Sequence, residues 1–280
     1  MVDDVKVACI QMNSSADLEK NLIQAGELID LAARDGAEII MTPENTDVMR
    51  ESPRLNVEQG LTDEEHPGIP FFSELAKAKK VWILVGSMKI KVSETHLVNR
   101  SFLFRPTGQL VASYDKIHLF DVRLQNGEEH KESQFIKPGE KAVIANTDWR
   151  KLGMSICYDL RFPHLFRTMA QKGAEMIAVP SAFTEYTGRS HWESLLRARA
   201  IETSSFILAP AQVGTHDGGR KTYGHTMIIG PWGQKFAELE TGEPGFISHK
   251  LDFLHVTKAR HSLPSLQHDR DFDFYQTKNL

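Results

Sequence analysis

Cysteine is scarce in this chain: Cys9 and Cys157 are the two thiols among 280 residues. Both fall in apolar runs that read as strands. A disulfide framework is therefore not indicated, and a reducing cytoplasm fits. No apolar run approaches the ~20 residues that a membrane-spanning helix needs. Positive charge is not in excess either, with 33 Lys and Arg against 37 Asp and Glu. That balance gives no electrostatic case for nucleic acid or an anionic membrane as a partner. Residues 1–6 are acidic and lead directly into a strand pattern, without the basic-then-apolar layout of a signal peptide. Repeats, low-complexity tracts and linkers are missing. The glycine-rich stretch 214–220 lacks lysine and Ser/Thr at phosphate-loop spacing and reads as a flexible loop. His255, His261 and His268 lack the spacing of a metal-ligand set with cysteine. No metal or organic cofactor is expected.

What the chain has is an alternation of short apolar runs and helical periods. A chain of this length buries ~75% of its unfolded surface, enough for a sizeable core. Residues 5–12 read as a strand. Residues 17–33 place Leu18, Leu22, Ala25, Ile29 and Ala32 at helical spacing, and Gly36 stops that helix. Further strands are expected over 37–41, 81–88, 151–157, 175–179, 206–213 and 245–251. Helices are expected over 70–80, 163–172 and 190–203. Hairpins are expected over 97–114 and 222–239, and an irregular surface loop over 120–139. The segment from about 263 has no period and reads as an extended tail. Mixed hairpins and helix–strand alternation predict an α/β fold with mixed sheets, in one domain spanning 1–280.

Three strands end in a reactive or charged side chain. Cys157 follows Lys151-Leu152-Gly153-Met154-Ser155-Ile156 and precedes Tyr158-Asp159-Leu160-Arg161-Phe162-Pro163. A strand, a sharp turn and a proline at a helix start lift one side chain above a sheet edge. Read alone, the thiol is more often a small core hydrophobe. Glu44 follows Ile39-Ile40-Met41-Thr42-Pro43, and read alone is equally a solvated loop carboxylate. Lys116 follows Tyr114-Asp115, and read alone is a surface lysine paired with Asp115. Strand ends gather along one edge of a layered α/β fold. An acid, a cation and a thiol gathered there make a covalent catalyst. Burial that raises Glu44 and an ammonium that lowers Cys157 are expected to narrow the ~4-unit gap between carboxyl and thiol.

The blocks around Thr42-Pro43-Glu44, Asp115-Lys116-Ile117-His118 and Cys157-Tyr158-Asp159-Leu160-Arg161-Phe162-Pro163 resemble the three signatures of the nitrilase superfamily, the carbon–nitrogen hydrolases. The resemblance runs over about 5–269. It implies an α-β-β-α sandwich, two mixed sheets flanked by helices. It also implies a Glu44–Lys116–Cys157 catalytic set and a homodimer or higher homo-oligomer. Pro180-Ser181-Ala182-Phe183-Thr184, Tyr223-Gly224-His225 and Pro231-Trp232-Gly233 resemble the Nit branch, whose deaminated-glutathione amidases and omega-amidases hydrolyse amides. The substrate implied is a small carboxylate-bearing amide. N-carbamoyl amino acid hydrolysis is the alternative within the superfamily. From another class, the alternative is a catalytically idle oligomeric module, opposed by the intact set.

The resemblance also implies that Glu132, before Lys137-Pro138-Gly139, is a second carboxylate beside the lysine. Tyr158 supplies an oxyanion N–H. Arg161 matches a carboxylate contact of related carbamoylases, with an ion pair to Asp159 as its structural alternative. Phe183 and Thr184 are expected to line the pocket. Arg189 is expected at a helix start, either solvated or facing a distal carboxylate.

Overall fold

The computed structural model describes residues 4–50 and 52–276. The chain runs β1 (Asp4–Gln11), α1 (Leu18–Arg34), β2 (Ile39–Met41), α2 (Pro53–Glu58) and α3 (Gly68–Lys79). Next come β3 (Trp82–Lys91), β4 (Leu97–Phe104), β5 (Leu110–Asp115), β6 (Asp121–Arg123) and β7 (Glu129–Lys131). β8 (Val143–Asn146), β9 (Lys151–Met154), α4 (Pro163–Gln171), β10 (Met176–Ala178) and α5 (Glu185–Thr203) follow. The last elements are β11 (Phe206–Ala209), β12 (Val213–Thr215), β13 (Lys221–Tyr223), β14 (Thr226–Ile229), β15 (Lys235–Leu239), β16 (Gly245–Asp252) and α6 (Leu254–Ser262).

Two six-stranded mixed sheets form, in the orders β16-β1-β2-β3-β4-β5 and β15-β14-β11-β10-β9-β8. Side-chain alternation sets the layers. In β1, Val5, Val7 and Cys9 join the core shared with the second sheet. Ala8 and Ile10 face the opposite way, onto Leu22 and Ile29 of α1 and Phe72 of α3. On the far side, Met169 of α4 and Trp192, Leu196 and Ala200 of α5 cover the second sheet. Helix, sheet, sheet, helix is the order implied by the resemblance. Both sheets bring their parallel central strands to the same edge, so Glu44 follows β2 and Cys157 follows β9.

Local chemistry explains the ends. Asp17 caps α1 through Lys20 N at 3.2 Å, and Gly36 follows its C-terminus at φ 86°. The strand expected over 206–213 stops at Ala209, because Pro210 has no N–H to continue the ladder. The helix expected over 190–203 begins earlier, at Glu185, where the Thr184 hydroxyl accepts from Thr187 N. Gly188 sits inside it because a Cβ there would meet Tyr223 Cβ at 2.3 Å. The loop expected over 120–139 carries the ribbon β6–β7 and a one-turn 3-10 helix, Glu132–Gln134. The glycine-rich stretch 214–220, expected as a flexible loop, carries the end of β12 and the turn of a second ribbon, β12–β13. The tail beyond 263 folds back onto α4, where Asp269 pairs with Arg167 and accepts from Gln171 at 2.6 Å. Among the described residues no helix is long and apolar enough to cross a membrane.

Candidate active site

Glu44 is 3% exposed and every face of its carboxylate is occupied. Oε1 accepts from Lys116 Nζ and from Asn99 Nδ2, each at 2.9 Å. Oε2 accepts from the Ala182 N–H at 2.9 Å. The Cys157 thiol completes the set with a further hydrogen bond. A carboxylate held from four directions has a fixed orientation, which a proton-transfer group needs.

Lys116 is 2% exposed, and an unpaired ammonium at that depth would cost several kcal/mol. Two carboxylates neutralise it. Glu44 lies at 2.9 Å, and Glu132 takes both hydrogen bonds of a fork at 3.1 and 2.9 Å. Glu132 also accepts from Phe120 N at 2.7 Å, so the loop after β5 closes over the lysine. The turn is held from below by Gly139, whose N–H donates to Lys116 O at 2.8 Å. A Cβ at Gly139 would meet Asp115 O at 2.1 Å, so only glycine approaches this closely.

Cys157 opens a 3-10 turn with φ of 50°, a left-handed backbone that a cysteine adopts only when its surroundings enforce it. Its N–H donates to Pro180 O at 2.9 Å. The clamp on this elbow is Asp159, fully buried. Asp159 Oδ2 accepts from Ile156 N at 2.8 Å and from the Tyr114 hydroxyl at 2.7 Å. Asp159 Oδ1 accepts from His118 N at 3.0 Å. One carboxylate thus ties the thiol's turn to the segment that carries Lys116, across the two sheets.

The electrostatics run opposite to the sequence expectation. Burial raises the Glu44 carboxyl, but the Lys116 charge and the thiol hydrogen bond outweigh it, and Glu44 titrates below the ordinary range. Burial and the Glu44 charge push the Cys157 thiol well up, and Lys116 offsets them only in part. Burial works against the Lys116 ammonium, yet Glu132 and Glu44 hold it far above the ordinary lysine value. The gap between carboxyl and thiol therefore widens. The cause is first burial of the sulfur and then the Glu44 charge beside it, which the Lys116 ammonium offsets only in part. At rest the cluster holds a neutral thiol, two carboxylates and an ammonium. Proton transfer to Glu44 must accompany attack on an electrophile rather than precede it. Burial also pushes Cys9 up, but among the described residues no acid or cation acts on it and it packs as core.

The cluster lies in a cavity of about 430 Å³. Tyr158, Arg161, Phe183 and Thr184 line it. The Thr184 hydroxyl is already spent on capping α5. Arg161 lies 5.4 Å over the Phe183 ring and makes no ion pair with Asp159, which is taken by Tyr114, His118 and Ile156. Arg189 pairs with Glu185 on the exposed face of α5, away from the cavity. Sequence reasoning missed Asn99, Asp159, Lys89 and Arg220. A polar residue inside the apolar strand β4 was the available signal for Asn99. The Ala182 N–H, a backbone group, left no signal in composition or spacing.

The carbon–nitrogen hydrolase family model matches residues 6–261. A deaminated glutathione amidase of Synechocystis is 40% identical over 267 residues, covering 93% of this chain and 96% of that protein. The solved NitFhit protein of Caenorhabditis elegans superposes with TM-score 0.89 at 33% identity; it covers 96% of this chain, which spans 65% of that longer protein. Saccharomyces cerevisiae Nit3, a solved member of branch 10 of the nitrilase superfamily, superposes at TM-score 0.81 and 29% identity, covering 95% and 96%. With thiol, acid and ammonium gathered between two sheets and a family match across nearly the whole chain, this protein belongs to the carbon–nitrogen hydrolases and is an enzyme that cleaves C–N bonds with water.

Proposed function

We propose that the protein is a thiol amidase for a linear amide of a carboxylate-bearing acid, with deaminated glutathione as its substrate. The observation that carries the chemistry is the single hydrogen-bonded cluster of Cys157, Glu44, Lys116 and Glu132 in the cavity. The relatives' printed activity supports the substrate.

The proton of Cys157 Sγ passes to Glu44 as sulfur attacks the amide carbon. A C–S bond forms, and the carbonyl π pair moves onto oxygen. Lys116, turning one N–H out of its fork with Glu132, and the Tyr158 N–H hold that oxyanion; one such donor contributes ~2.7–4 kcal/mol. The C=O bond re-forms, the C–N bond breaks, and Glu44 returns its proton to the departing nitrogen. The thioester is then attacked by water, whose proton passes to Glu44. The second tetrahedral species expels Sγ, which recovers the proton. Amide and water give acid and amine, and the cluster regains its resting charges. A simple amide releases ammonia. Glutathione's γ-amide carries a dipeptide, so there the product is cysteinylglycine.

Glu132 positions Lys116 in this scheme. Arg161 meets the carboxylate of the acyl half. The chain acts as one domain in the cytoplasm, paired with a second copy.

Product release from deaminated glutathione, 2-oxoglutaramate and an N-carbamoyl amino acid tests the assignment. Deaminated glutathione is expected to show the highest kcat/KM, with 2-oxoglutaramate turned over more slowly. Hydrolysis of the carbamoyl compound alone would overturn it.

A further inference from the structure

One end of the cavity is built and unused. Lys89, half-buried in β3, spends one of its three donors on Val48 O at 3.1 Å. Among the described residues no carboxylate comes within ion-pair distance of it; Asp47 acts on it only from farther away. Lys89 and Arg220 line the same cavity; burial lowers the Lys89 ammonium, Asp47 raises it less, and the Arg220 charge lowers it further. Arg220 donates to Ala182 O at 2.8 Å, and its buried Nε has no partner. The same wall carries two buried amide oxygens without a donor, Asn45 Oδ1 and Asn56 Oδ1. Their residues are 6% and 8% exposed. All four residues line the cavity that holds Cys157.

Direction in the cavity follows from the chemistry of the leaving group. Glu44 protonates the departing nitrogen, so that nitrogen lies on the Glu44 side of the sulfur. Asn45 comes next in the chain, and Asn56 and Lys89 extend the same wall. Arg161 stands on the wall from the second sheet, with Tyr158 and Phe183. We propose that Asn45, Asn56, Lys89 and Arg220 form a leaving-group subsite for a peptide-like amine ending in a free carboxylate. The amide oxygens accept its N–H groups, and the two cations take its terminal carboxylate. The enzyme thereby selects amides by both halves, with one cationic region for each. This inference rests on the amidase assignment.

Three probes separate the two: deaminated glutathione, its C-terminal carboxamide, and 2-oxoglutaramate, whose leaving group is ammonia. In the wild type, kcat/KM for the free acid should exceed that for the carboxamide by about 30-fold, the discrimination of a buried charge-assisted contact. In Lys89→Met that ratio should fall to within about 3-fold of unity, while Lys89→Arg keeps most of it. Arg220→Gln is read in the same way, so misfolding of one variant leaves the other. Equal turnover of acid and carboxamide by the wild type, or an unchanged ratio in both variants, overturns the subsite. If 2-oxoglutaramate is still hydrolysed, the amidase assignment survives that failure. If no amide is hydrolysed, both fall.

Discussion

At the scale of single residues, Glu44 and Lys116 are stabilised in their charged forms while Cys157 is held neutral. The pH dependence follows. Glu44 is depressed below its ordinary value of 4.5, so its contribution to stability is fully present above 4.5 and is lost as pH falls through the folded value. Lys116 is raised above 10.5, so its contribution is fully present below 10.5 and is lost as pH rises through the folded value. For 2-oxoglutaramate, whose leaving group is ammonia, we expect kcat/KM, corrected for substrate ionisation, to have its acid limb below 4.5 and its alkaline limb above 10.5. A limb at neutral pH would show that the thiol or Glu44 titrates there, against the cluster described. The three residues were legible in the sequence because each ends a strand. Their protonation was not. It depends on burial and on which charges meet in the folded chain, and for Lys116 also on Glu132, which approaches from a charged loop whose course no periodicity records.

At the scale of elements, the site depends on how two strand ends are held together. β5 delivers Lys116 and β9 delivers Cys157, and Asp159 joins them. Burial and the Asp159 charge keep the Tyr114 phenol protonated, so it is a donor to that carboxylate. Replacing Asp159 with Asn removes a charged acceptor from four hydrogen bonds at once, those of Ile156 N, the Tyr114 hydroxyl, His118 N and the His118 ring. The expected loss is about 2–3 kcal/mol of stability in urea unfolding. A fall in kcat of more than 10-fold should accompany it, because the elbow at Cys157 loses its clamp. Unchanged kcat in a folded Asp159→Asn protein would show that the elbow holds itself. Strands and helices with long apolar periods, such as β1 and α1, were readable beforehand. α6 was not, because it buries only Val256 and Ala259. The ribbons β6–β7 and β12–β13 were not, because three-residue strands of mixed polarity have no period to detect. Arg220, on the second ribbon, was hidden for the same reason.

At the scale of the molecule, two sheets share one core and converge their strand ends on one cavity. The outer face of α5 remains partly apolar. Ile201 is 52% and Trp232 58% exposed, and a Cβ at Gly233 would meet Ile201 Cδ1 at 2.7 Å, so helix and turn form one surface. Such a patch fits a second copy of the chain. Light scattering should give a dimer or larger assembly, and Ile201→Asp with Trp232→Asp should shift it to monomer. A monomeric wild type would exclude that surface as an interface. Covalent catalysis at Cys157 is tested by acid-quenched turnover followed by peptide mapping. The peptide containing Cys157 should carry the acyl group as a hydroxylamine-labile thioester, and Cys157→Ala should be folded, unlabelled and inactive. Turnover retained by Cys157→Ala, or an acyl group mapped to another residue, would exclude Cys157 as the nucleophile.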